Sequence, residues 1–68
     1  MNWDDLRYFI AVARAGSLSA AGRQLGVSQP TVSRRLAAME ARLRARLFDH
    51  IENRYVLTPA GEEMFATA

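Results

Sequence analysis

Hydroxyl caps divide this chain more firmly than any other feature. Ser17 follows Gly16, Ser28 follows the pair Gly26-Val27, and Thr58 stands directly before Pro59. Each hydroxyl can accept a hydrogen bond from the first turn of a helix, and each glycine can end the helix before it. Pro30 and Pro59 fall in first turns, where a missing N–H does no harm. The chain is thereby cut into short helices that must bury their apolar sides against one another. With 68 residues it forms at most one domain, and a small one.

The spacing predicts helix one over about 3–15. Asn2 is its N-cap, Asp4 and Asp5 suit its positive end, and Met1 and Leu6 hold the positions of a hydrophobic staple. Trp3, Leu6, Phe9, Ile10 and Ala13 recur at helical spacing as its buried face, with Tyr8 off that stripe. Helix two runs from the Ser17 cap to Gly26, with Leu18, Ala21 and Leu25 inward. Gly22 inside it costs roughly 1 kcal/mol against alanine. That cost fits a close backbone approach, or simply a glycine on an unimportant surface. Helix three covers about 29–43, with Val32, Leu36, Met39 and Leu43 on one buried stripe.

From Leu47 the period changes. "LFDHIENRYVLT" reads as a hairpin turning at Glu52-Asn53, with Tyr55, Val56 and Leu57 in the return strand. Thr58-Pro59 opens a last helix, with Glu62 and Glu63 near its positive end. The sequence stops at Ala68 without a cap signal, which predicts a piece cut inside a longer helix.

Helix three has an unusual outer side. Opposite its apolar stripe lie Pro30, Ser33, Arg34, Ala37, Ala38 and Ala41, where long charged side chains are customary. The charge is also segregated. All nine basic residues are arginines, and residues 22–46 hold six of them against Glu40 alone. Arginine's planar head suits phosphates and base edges. A slim face beside a basic segment fits the major groove, which is about 12 Å wide. It also fits an alanine-lined contact in a small bundle.

Catalytic constellations are missing from the sequence. There is no cysteine, which excludes disulfides and thiolate metal sites, and His50 is the single histidine. The acidic pairs Asp4-Asp5 and Glu62-Glu63 are explained by helix N-termini. The expectation is a protein that is not an enzyme, with no cofactor and no metal. No apolar run approaches the ~20 residues of a membrane span, and the acidic start is unlike a secretory signal. A soluble cytoplasmic chain is expected.

Helix two, the Gly26-Val27-Ser28 turn and helix three have the spacing of a helix-turn-helix, whose second helix enters the major groove. Gln29, Ser33 and Arg34 then face base edges or phosphates, and Arg35, at the margin of the buried stripe, reaches a phosphate. The hairpin adds a wing, with Arg54 and His50 near its tip. Arg54 there either enters a minor groove or pairs with Asp49 or Glu52.

The segment "LRYFIAVARAGSLSAAGRQLGVSQPTVSRRLAAMEARL", followed by "RLFDH" and "LTPAGEE", resembles the N-terminal DNA-binding domain of LysR-type transcriptional regulators. The resemblance covers nearly the whole chain. It implies a mainly α winged helix-turn-helix with a three-helix core, a β-hairpin wing and the start of a linker helix. The domain then occupies 1–58, and 59–68 opens a truncated linker helix. The resemblance further implies binding to double-stranded DNA through Gln29, Pro30, Thr31, Ser33 and Arg34, and through Arg54 on the wing. It implies a homodimer through paired linker helices, a tetramer for the full-length chain, and a small-molecule effector held by a C-terminal domain beyond this sequence. Tyr8, Met64 and Phe65 are expected at the dimer contact. Three positions depart from the family pattern. Arg44 replaces a common glycine after helix three, Gly22 a common alanine, and His50 a common arginine in the wing. The readings left beside this one are a winged-helix DNA binder of another family and a basic helical module for an acidic protein partner.

Overall fold

The computed structural model describes residues 3–67. Four helices and one hairpin follow in order: α1 (Trp3–Ala15), α2 (Leu18–Leu25), α3 (Gln29–Leu43), β1 (Phe48–Ile51), β2 (Arg54–Leu57) and α4 (Pro59–Thr67). The Asn2 cap and the Met1 half of the staple lie outside the described residues.

The hydroxyl caps act as expected. The Ser17 side chain accepts from the Ala20 N–H at 3.1 Å, and that of Ser28 from the Thr31 N–H at 3.4 Å. Gly26 closes α2 in the left-handed region at φ 74°. Gly22 is a close approach: a Cβ there would stand 2.7 Å from the Val27 carbonyl oxygen, on the turn into α3. Arg44 does what a glycine would do. It ends α3 at φ 54°, ψ 40°, and its N–H returns to the Ala41 carbonyl.

The hairpin pairs Phe48 with Leu57, Asp49 with Val56, His50 with Tyr55 and Ile51 with Arg54. Glu52 and Asn53 both take positive φ, 49° and 65°, as a two-residue turn matched to strand twist requires. The Tyr55 N–H also donates to the Gly16 carbonyl at 2.9 Å, which ties the wing to the α1–α2 turn. Thr58 fastens the far end. Its hydroxyl donates to the Arg46 carbonyl at 2.6 Å and accepts from the Gly61 N–H at 3.0 Å. A Cβ on Gly61 would collide with the Leu47 carbonyl, so "LTPAG" needs its glycine.

Phe9, Val12, Val32, Met39 and Leu47 are the largest fully buried side chains. Phe9 meets Phe48 at 5.5 Å and Phe65 at 6.3 Å between ring centroids, which joins α1, the wing and α4.

Two apolar assignments need correction. The buried face of α1 is Asp5, Tyr8, Phe9, Ala11 and Val12, while Trp3 is 72% exposed. Leu6, Ile10 and Ala13 are only partly buried against the core. The face is turned because α3 covers the Asp5–Tyr8 side, where an acidic residue and a phenol read as solvent-facing. Leu43 is 42% exposed, since the last turn of α3 runs beyond the core. Among the described residues, no helix is long and apolar enough to cross a membrane.

Candidate nucleic-acid interface

α3 has four sides, and each has different neighbours. Val32, Leu36 and Met39 are buried. Pro30, Arg34, Ala37, Ala38 and Ala41 point outward and are exposed. Nothing among the described residues covers this outward side, so the alanines do not serve a helix contact within them.

The side toward α1 is laced by two arginines. Arg42 donates to the carboxylate of Asp5. One turn further along α1, the ring of Tyr8 lies under Arg35, whose Cζ is 5.2 Å from the ring centroid. Asp5 is thus more than a capping residue: its side chain is 4% exposed, and it joins α1 to α3 across 37 positions of sequence. Periodicity could not show this, because it assigns a carboxylate to water.

The side toward the wing is a cleft of about 140 Å³, lined by Ser33 and Ala37 from α3 and by Phe48 and Tyr55 from the hairpin, among others. Glu40 closes its lower end. One carboxylate oxygen of Glu40 accepts from the backbone N–H groups of Leu47, at 2.7 Å, and Phe48, at 3.3 Å. The one acid among the six arginines of residues 22–46 therefore fixes the angle between helix and wing.

The predicted contact residues cluster in part. Gln29, Pro30, Ser33 and Arg34 are exposed at the N-terminal end of α3. Thr31 is half-buried, and its hydroxyl is hydrogen-bonded to that of Ser28 at 2.9 Å. Thr31 thus stabilises the first turn. Arg35 is exposed but lies on the α1 flank. His50 and Arg54 belong to the wing. The His50 ring is exposed and stacks on Tyr55, with centroids 4.6 Å apart and planes at 21°. Arg54 stands just after the turn, with its guanidinium above Gly16; a Cβ built there would be 3.4 Å from Nη2. Neither Asp49 nor Glu52 pairs with it among the described residues; Asp49 is held by Arg46 at 2.5 Å.

The basic segment therefore holds fewer free charges than its sequence implies. Arg42 and Arg46 are ion-paired, and Arg23 donates to the Ser19 hydroxyl at 3.4 Å. Arg34, Arg44 and Arg54 form no ion pair among the described residues. Two of these, Arg34 and Arg54, flank the outward face of α3 and the wing.

Residues 3–62 match the model of the bacterial regulatory helix-turn-helix proteins of the lysR family. The chain belongs to the LysR family. It is 46% identical over all 68 residues to an uncharacterised HTH-type transcriptional regulator of Azotobacter vinelandii, encoded in an ibpB–leuC intergenic region. It is 44% identical over 61 residues, 90% of its length, to the HTH-type transcriptional regulator TfdS of Cupriavidus pinatubonensis. It spans only 47% and 21% of those two relatives. Among solved structures, a CbnR DBD–DNA complex superposes with a TM-score of 0.92 at 40% identity, over 98% of this chain and 77% of that one. A complex of the BenM DBD with benA site 1 DNA superposes with a TM-score of 0.93 at 30% identity, over 98% and 75%. The fold is that of LysR-type DNA-binding domains, a winged helix-turn-helix. Neither the readings of another winged-helix family nor a basic helical module accounts for these matches.

Proposed function

We propose that this LysR-family chain binds double-stranded DNA as the DNA-binding domain of a bacterial transcriptional regulator. In this reading α3 lies in the major groove and the hairpin lies near the minor groove. The observation that carries it is the small-residue face of α3, left uncovered by the described residues, with Arg34 at one end and Arg54, which forms no ion pair among the described residues, on the wing. CbnR and BenM domains of the same fold are solved on DNA, which supports the same use of this surface.

Gln29, Pro30, Ser33 and Arg34 meet base edges or nearby phosphates. Thr31 shapes the first turn, and the positive end of α3 there favours a phosphate. Arg35, Arg54 and His50 meet the backbone. Residues 1–58 make the winged unit, and 59–68 begin a linker helix that pairs with a second copy. Two copies place two recognition helices about one helical turn apart, ~34 Å, on one side of the duplex. A full-length regulator of this kind works as a tetramer in the cytoplasm and senses a small molecule through a C-terminal domain. This module binds and does not catalyse.

A salt titration tests the reading. If two copies bring roughly 6–10 phosphate contacts, affinity for duplex DNA falls about 10³–10⁵-fold between 50 and 200 mM salt. A flat titration would overturn it.

A further inference from the structure

Tyr8 is only 6% exposed and belongs to the apolar core, yet one face of its ring meets a fully charged side chain. The Arg35 guanidinium above it lies within the ~6 Å range of a cation–π contact. Arg42, on the same flank, spends donors on Asp5. Arg35 has no ion pair among the described residues. A contact with a ring engages the charge of the guanidinium and leaves its N–H donors able to meet an acceptor. A free arginine samples many rotamers, and much of that freedom is lost when it is ordered on a phosphate. A side chain already resting on an aromatic face has lost part of it before DNA arrives.

We propose that Tyr8, on a helix that itself makes no groove contact, is a positioning residue for DNA binding: its ring holds the Arg35 guanidinium poised for a backbone phosphate at the rim of the major groove. This rests on the reading that α3 enters the groove. The site spans α1 and α3, so a residue 27 positions upstream tunes the basic surface of the recognition helix.

A double-mutant cycle on a duplex of random sequence tests it, with Tyr8→Phe, Tyr8→Leu and Arg35→Ala and thermal melting of each variant. Tyr8→Phe binds like the parent, because the ring remains. Tyr8→Leu loses about two- to five-fold in affinity, the equivalent of ~0.5–1 kcal/mol for an exposed cation–π pair. In the Arg35→Ala background, Tyr8→Leu costs nothing further. Equal losses in both backgrounds would mean that Tyr8 only supports the fold, and the proposal would fail while DNA binding stood. No loss for Arg35→Ala would remove the phosphate contact and the proposal with it. A parent chain that binds no duplex at all would sink the functional reading instead. If Tyr8→Leu does not fold, phenylalanine bearing one to three ring fluorines at position 8 keeps the shape and drains the ring's negative face. Affinity should then fall with each fluorine, and a flat series would overturn the proposal.

Discussion

The two long sides of α3 are opposites. Toward α1, an acid and an aromatic ring engage Arg42 and Arg35. On the outward side, Arg34 forms no ion pair among the described residues and lies among alanines. The same residue type is fastened on one side and free on the other. Charge counted along a segment is therefore a poor measure of charge presented to a partner. What matters is which arginines have already met a carboxylate inside their own chain.

The sharpest way to break this comparison is to exchange the effects of Arg34 and Arg42. Arg34→Ala should lower affinity for a specific operator by about 1–3 kcal/mol, as loss of a good base contact does, with a much smaller loss on random DNA. Its melting temperature should stay near that of the parent, because an exposed side chain without partners contributes little to stability. Competition titrations with both duplexes would measure this. Equal losses on specific and random DNA would make Arg34 a phosphate contact instead.

Arg42→Ala should behave in reverse. It removes one charged partner of a buried carboxylate and should destabilise the fold by about 2 kcal/mol. Loss of one member of a wholly buried pair costs about 3–5 kcal/mol, and the smaller figure reflects an Arg42 side chain that is 57% exposed. The folded fraction should bind DNA nearly as before. Denaturant unfolding, with affinity corrected for folded protein, would show it. An unchanged midpoint together with weaker DNA binding would place Arg42 on the DNA side.

Much of this architecture was legible in the sequence because it is written locally. As caps, Ser17, Gly26, Ser28 and Thr58 act within four residues of themselves, though Thr58 also reaches back to Arg46, and the observed helix bounds follow from them. The hairpin turn at Glu52-Asn53 is local as well. The errors lie where two segments meet. Tyr8 is buried in the core with Arg35 over its ring, and Asp5 is buried with Arg42 paired to it. Trp3 is exposed although it fits the helical period of its neighbours. Periodicity ranks side chains by polarity, and a paired acid or a ring beneath a cation falls outside that ranking. The slim face of α3 was legible for the opposite reason: with no partner among the described residues, its composition alone describes it. Glu40 was not legible at all: the sequence shows one acid in a basic run, and only the structure shows it holding the start of the wing through two backbone N–H groups.

The smallest effect concerns Arg44, a free charge in a costly backbone position. The left-handed region costs a residue with a Cβ roughly 1–2 kcal/mol, and Arg44 occupies it at φ 54° to let the chain leave α3 for the wing. Glycine removes that cost but adds freedom to the unfolded chain. The net gain for Arg44→Gly should be about 1 kcal/mol, or roughly 4–8 °C in melting temperature for a domain of this size. Arg44→Asn should recover part of that gain, because asparagine tolerates the same region with a smaller entropy loss on folding. The DNA readout then sharpens the contrast between the sides of α3. Arg44 lies at the far end of the helix from Gln29 and Arg34, so both variants should leave the salt dependence of binding nearly unchanged. A reduction of the salt slope by about one per copy would instead mark Arg44 as a phosphate contact. Its left-handed backbone would then trade stability for one more free arginine at the interface.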